Sequence, residues 1–307
     1  MLSLALRRLL GAVPTLLLLL TLAFFLMHAA PGGPFDAERS LPPQIEAALR
    51  AQYQLDQPLW RQYLHYLGGL LRGDLGPSFQ YGGFSVAELI GSGAPVSFRL
   101  GAAALLLALL LGVVLGSAAA LQRGGWLDRV LMTFALAGIS VPAYVVAPLL
   151  VLLFAVTLHW LPAGGWSAGG VSDAVLPVIS LALPQVAAIA RLSRASMIEV
   201  LSAPYIRTAR AKGLPLRLVV WRHALKPALL PVLSYLGPAA AGLVTGSVVI
   251  EQVFGIPGIG RYFVQGALNR DYTLVLGVVL FYGALIVLFN FLVDMLYGVL
   301  DPRVRSA

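Results

Sequence analysis

The sequence predicts an all-α membrane protein with six spanning helices and both termini in the cytoplasm. Three observations carry this. Hydrophobic residues make up 59% of the 307 positions and charged residues only 11%, against about a quarter in soluble domains. Six apolar stretches approach the length, about 20 residues, that a helix needs to cross the hydrocarbon layer. The Lys and Arg residues also gather in alternate loops, as the positive-inside rule requires. The net charge of +8 therefore reads as topology rather than as nucleic-acid binding. No cysteine is present, which excludes disulfides and thiolate metal sites.

The first stretch, residues 9–29, follows Arg7-Arg8. It is too long for the core of a signal peptide, and a cut after Ala30 puts His28 where a small residue is wanted. Residues 1–29 thus read as a retained N-terminal span. Residues 30–98 form an extracytoplasmic segment carrying Asp36, Glu38, Glu46, Asp56, Asp74 and Glu88. Within it, 42–52 and 58–71 read as helices, each opening at a proline suited to a first turn. Ile45, Ala48 and Leu49 share a face of the first. Leu59, Tyr63, Tyr66, Leu67 and Leu70 share a face of the second. Such faces suit a small cap on a helical bundle and a docking surface for an outer partner.

Residues 99–307 form a permease core of five spans, at 100–121, 130–158, 174–190, 228–250 and 274–300. The span at 130–158 contains Pro142 and Pro148 and is expected to kink, because proline removes a helical hydrogen bond. The loop 122–129 holds Arg123 and Arg129, whereas 159–173 holds no Lys or Arg. The loop 191–227 holds eight of the chain's 21 Lys and Arg residues, against Glu199 alone. Placing the basic loops in the cytoplasm puts both termini there, in agreement with Arg7, Arg8, Arg303 and Arg305. Between the last two spans lies Phe254-Gly-Ile-Pro-Gly-Ile-Gly260. So many turn-formers preclude a spanning helix, and a turn with a short helix is expected near the outer mouth of a pathway.

The basic loop contains a helix with its own start and stop signals. Ser202 is a suitable N-cap, Pro204 fits the first turn, Gly213 fits the C′ position and Pro215 prevents continuation. Tyr205, Thr208, Ala209 and Lys212 fall on one stripe, with small Thr208 and Ala209 open to close approach and Tyr205 as an anchor. Residues 216–225 are expected to form a second helix leading into the fifth span. A capped helix on the cytoplasmic face suits docking of a soluble partner; a basic loop that sets topology and meets anionic lipid is the plainer alternative.

Catalytic signals are missing from the sequence. Lys212 and Lys226 are its only lysines, and neither closes a phosphate-binding loop. His28, His65, His159 and His223 are scattered, with no metal-ligand spacing, and none is placed as a base for Ser140, Ser180, Ser234 or Ser247. Asp294 is the one acid deep in a span, on a face with Asn290 and Tyr297, and should meet protein or water rather than lipid. Glu251, at the outer end of the fifth span, is of the same kind. Glu251, Asn290 and Asp294 are therefore candidate pathway or intramembrane polar residues. A self-sufficient secondary transporter predicts coupling acids near the midplane and inverted repeats, and neither is evident.

The loop 191–227 resembles the signature loop of binding-protein-dependent ABC importer permeases: Glu-Ala-Ala, three residues, Gly, nine residues, Ile, one residue, Leu-Pro. Aligned on Gly213, that pattern meets Arg207-Thr208-Ala209 and His223-Ala224-Leu225, with the proline one place late at Pro227. These departures are similar to the dipeptide and oligopeptide branch, with its Arg207-Thr-Ala-Arg-Ala-Lys-Gly213 and Arg222-His-Ala-Leu225. The resemblance extends through Ala30-Pro-Gly32, Gly73-Asp-Leu-Gly76, Val249-Ile-Glu251, Arg270-Asp-Tyr272 and Asp301-Pro-Arg303. Gly33-Pro-Phe35, Leu41-Pro-Pro43 and 223–235 resemble the B-type subunit of oligopeptide permeases. The resemblance implies a type I ABC importer permease fold in a bacterial inner membrane, and half of a peptide pathway. It implies a second homologous permease, two ATP-binding subunits that hold ATP and Mg, and an extracytoplasmic peptide-binding protein. No cofactor or metal is expected in this chain. The ATPase contact would fall on Tyr205, Ile206, Arg207, Thr208, Ala209, Arg210, Ala211, Lys212, Gly213 and Leu214.

Overall fold

A computed structural model describes residues 2–34, 42–167 and 170–300. Phe35, Leu41, Asp301, Arg303 and Arg305 lie outside these residues, as do the side chains of Arg7 and Tyr297. The described chain is helical, with no strand beyond a single bridge between Pro77 and Ser85. In order, α1 covers Leu2–Ala29, α2 Pro43–Gln52, α3 Leu59–Leu70, α4 Val86–Leu121, α5 Trp126–Ser140 and α6 Ala143–Leu150. A π-helical stretch, Val151–Thr157, continues α6. Then come α7 Val171–Ser202, α8 Pro204–Ala211 and α9 Leu216–Leu218. A second π stretch, Val219–Ala224, leads to α10 Leu225–Ala228, α11 Leu230–Phe254, α12 Ile259–Leu268 and α13 Tyr272–Leu300.

Among the described residues, five helices are long and apolar enough to cross a membrane: Leu10–Ala29, Val86–Leu121, Val171–Ser202, Leu230–Phe254 and Tyr272–Leu296. The expected third span departs from a simple kink. It is broken into α5 and α6 with its π extension, bent by 104°. Val141 before Pro142 is extended, at φ −93° and ψ 119°, because the proline ring clashes with a helical residue ahead of it. Six spans are counted only when this bent pair is taken as one.

Two further expectations change. α4 starts at Val86, not near residue 100, because Ser85 and Glu88 form a capping box. Glu88 Oε2 accepts from Ser85 N–H at 2.8 Å and Ser85 Oγ accepts from Glu88 N–H at 3.3 Å. α7 likewise runs past Arg191 to Ser202, so the first third of the supposed loop 191–227 is helix. A charged residue ends a membrane segment but need not end a helix.

The chain divides into two compact units. One comprises 9–97 and 257–285. There α3 turns Tyr66, with half-buried Tyr63, Leu67 and Leu70, onto Leu20, Phe24 and Leu276, the face read from sequence apart from exposed Leu59. α2 leaves Ile45 and Ala48 exposed. Buried Asp271 organises the loop before α4, accepting from Ser78 Oγ, Gln80 N–H, Thr273 Oγ1 and Leu274 N–H. The other unit comprises 1–8, 98–256 and 286–307. Its centre is α7, against which α5, α6 and α11 pack. Gly112 and Gly116 of α4 let that helix lie directly on α7: a Cβ at Gly112 would come within 2.7 Å of Ile189.

Candidate functional site

α8 follows α7 after a single residue. Ala203, at φ −66° and ψ 149°, ends one helix and caps the next. Ser202 is not the N-cap: its hydroxyl donates to the Glu199 carbonyl at 2.6 Å, within α7. The Ala203 carbonyl accepts from Ile206 and Arg207 N–H instead, at 3.1 and 3.3 Å, and Pro204 fills the first position, where no donor is needed.

The far end closes as the sequence predicts. Gly213 is left-handed at φ +77°. Its N–H donates to the Arg210 carbonyl at 2.9 Å, and Leu214 N–H reaches back to the Ala209 carbonyl at 3.3 Å, which satisfies carbonyls otherwise orphaned at a helix end.

The helix has two faces. Ile206, fully buried, and Ala209 point into a cluster with Met197, Val219, Ala224, Ala228 and Ala120, with Leu214 partly buried beside it. Tyr205, Arg207, Thr208, Arg210, Ala211 and Lys212 are exposed. Ala209 therefore does not share the open stripe with Tyr205, Thr208 and Lys212; the bend at Ala203 turns it inward. The expected helix over 216–225 is present as α9 and a π stretch. The widened turn precedes Pro227, whose ring crowds the carbonyl four residues earlier.

The intramembrane polar residues do not gather at one point. Asp294 forms an ion pair with Arg8, Oδ2 to Nε 3.1 Å, with both side chains part-exposed. Asn290 packs on α11, its Oδ1 3.0 Å from where Gly237 would carry a Cβ. Glu251 is fully buried near the end of α11. Among the described residues, no group of His, Asp and Glu is arranged to hold a metal.

Sequence reasoning missed one charged pair. Asp128 of α5 is buried and takes a two-pronged contact from Arg194 of α7, at 2.5 and 2.7 Å. It also accepts from Gly124 N–H at 2.9 Å. Arg194 was counted among the loop cations, and nothing in a single sequence links two residues so far apart. Arg194 sits about two turns before the end of α7, the helix that leads into α8.

The family described as "Binding-protein-dependent transport system inner membrane component" matches residues 112–306. Its N-terminal companion, "Binding-prot-dependent transport system membrane comp, N-term", matches 1–84. The chain belongs to this family. It is 54% identical over 305 residues to the oligopeptide transport system permease protein OppB of Salmonella typhimurium, covering 99% of this chain and 100% of that one. Identity to the Haemophilus influenzae OppB is 52%, with the same coverage. It is 46% to the dipeptide transport system permease protein DppB of Bacillus subtilis, over 95% and 94% of the two chains. In fold, this membrane component resembles a chain of the inward-facing MetNI methionine ABC transporter, with a TM-score of 0.57 at 18% identity, covering 70% of this chain and 97% of that one. A chain of an amino acid ABC transporter gives 0.54 at 16% identity, over 69% and 94%. The fold is that of an ABC importer permease, and the membrane component is a multi-pass protein of the bacterial inner membrane.

Proposed function

We propose that this chain is the transmembrane permease subunit of an ATP-driven oligopeptide importer, forming half of the pathway. The observation that carries the reading is α8, a short helix fixed along one face by Ile206 and Ala209 and free along the other. A helix held this way passes a push to the spans rather than absorbing it. The near full-length identity to the OppB proteins supports oligopeptides as cargo.

In this mechanism the chain carries no catalytic group. Two ATP-binding subunits hold ATP and Mg, and a second, homologous permease completes the pore. An extracytoplasmic binding protein delivers peptide. Residues 205–214 contact an ATPase, the exposed Tyr205, Arg207, Thr208, Arg210 and Lys212 directly and the buried Ile206 and Ala209 as the seat. Closure of the ATPases moves α8, and with it α7, alternating access between the two sides. Asp294 with Arg8, and Asn290 against Gly237, tie spans together, while Glu251 acts at the outer end of α11.

The test is co-purification of the tagged chain in mild detergent. Wild type should retain an ATPase and a second permease, and Gly213→Pro should lose the ATPase. A chain that purifies alone, and moves peptide in proteoliposomes without ATP, would replace this reading with a secondary transporter.

A further inference from the structure

An open groove of about 710 Å³ runs between α5, α7 and α11, within the unit that holds residues 98–256. Met132, Leu136 and Ile139 of α5 give it an apolar wall, while α7 and α11 bring Arg191, Arg194 and Tyr235 to it. No Asp or Glu is among its lining residues. Its size falls within the roughly 300–1,000 Å³ of ligand pockets.

The two arginines are not equivalent. Arg194 is committed to Asp128 through Nε and a terminal nitrogen, at 2.5 and 2.7 Å. Arg191 is exposed, and among the described residues it makes no hydrogen bond or ion pair. The groove therefore keeps one uncompensated guanidinium, whose planar fork suits a carboxylate.

An exposed arginine alone asks for nothing more than water. What sets this one apart is a polar pair less than two turns away. Between Asp173 and Arg191 the polar side chains of α7 are Ser180, which is buried, and Gln185. The Tyr235 hydroxyl donates to Gln185 Oε1 at 2.9 Å, and Gln185 makes no other hydrogen bond among the described residues. Both N–H groups of its amide are thus unused. Its Nε2 points towards exposed Gly242, 3.7 Å from where a Cβ would stand. Bare donors against lipid tails are costly, so polar groups in a span face water, protein or cargo.

We infer that this groove binds the C-terminal end of a peptide in transit. Arg191 pairs with the carboxylate, and Gln185, oriented by Tyr235, donates to a backbone carbonyl. Six residues separate Arg191 from Gln185, about 9 Å along the helix, which matches about three residues of extended peptide at roughly 3.3 Å each. A phospholipid with its phosphate on Arg191 would lay acyl chains, which accept nothing, against the Gln185 amide. This site rests on the transport reading and adds to it the residues that hold the cargo.

The test is ATP-driven uptake of trialanine and of its C-terminal amide by the whole complex in proteoliposomes, with its binding protein. Any choice the binding protein makes between the two forms is common to wild type and variant and cancels when their acid-to-amide ratios are compared. Arg191→Gln should lower that ratio about tenfold, the usual effect of removing one partner of a charged hydrogen bond. Arg191→Lys, which keeps the charge, should restore part of it, and Gln185→Leu should slow both forms alike. A second measurement needs no binding protein. Benzoylphenylalanyl-alanyl-alanine, photolysed with the complex in nanodiscs, should cross-link to the faces of α5, α7 or α11 that line the groove, and Arg191→Gln should weaken that labelling. An acid-to-amide ratio in Arg191→Gln equal to that of wild type, or cross-links only outside the groove, overturns the site and leaves Arg191 to lipid or to a neighbouring subunit. A wild-type complex that moves neither peptide overturns the transport reading, and this site with it.

Discussion

Ile206 offers the sharpest test of how α8 is seated. Its side chain is fully buried against Met197, Val219 and Ala224, and Ile206→Ala removes three carbons from that site. At about 0.8 kcal/mol per buried carbon the transfer loss is about 2.4 kcal/mol, and the cavity left behind raises it to about 3 kcal/mol. None of the exposed face is altered. If α8 opens locally, that loss speeds exchange of its amides by about a hundredfold, since 1.4 kcal/mol is a factor of ten. Hydrogen–deuterium exchange of the full chain in nanodiscs, read over residues 207–213 with α12 as internal reference, measures this directly. Tyr205→Ala serves as the contrast: Tyr205 is 48% exposed, so exchange should hardly change while ATPase retention falls. Exchange in Ile206→Ala close to that of wild type would show that α8 is held by something other than this cluster.

Three further outcomes are expected. Gly213→Ala forces a side chain into a left-handed conformation at φ +77° and should cost about 1 kcal/mol, read as faster exchange at the end of α8; Gly213→Pro also deletes the N–H that reaches Arg210 and should be worse. Arg194→Met strands the buried Asp128 carboxylate, so its melting temperature in detergent should fall below that of the double variant Asp128→Leu/Arg194→Met, in which no unpaired charge remains. Ser78→Ala removes a hydrogen bond to buried Asp271 and should destabilise the outer loop by about 1.5–3 kcal/mol, detected as faster proteolysis between residues 71 and 85.

Much of the fold was legible because its signals are local. Apolar length located five of the spans, the prolines at 42, 58 and 204 opened the helices expected of them, and Gly213 closed α8 with a hydrogen-bond pair that only a left-handed residue permits. The capping box at Ser85 and Glu88 was equally local and was overlooked, which misplaced the start of α4. Other features were out of reach for physical reasons. A proline announces a break, but the 104° bend depends on how far Val141 moves into the extended region. Ser202 had two acceptable partners, and the Glu199 carbonyl captured its hydroxyl. Which face of α8 is open depends on the turn at Ala203, so Ala209 was assigned to the wrong side. The link between Asp128 and Arg194 requires the packing of α5 on α7, which no periodicity reports.

The unbroken course of α7 has a mechanical meaning. Its 32 residues span about 48 Å at 1.5 Å per residue, well beyond the roughly 30 Å of hydrocarbon. A rod of that length tilting by roughly 5° about its middle carries each end through about 2 Å in opposite senses. With one residue separating it from α8, little slack intervenes between the two helices. In the proposed mechanism the stroke at the outer end, near Ser167 and Asp173, depends on where along α7 the pivot lies, and the close contacts at Gly112 and Gly116 fall nearer to α8 than to that end.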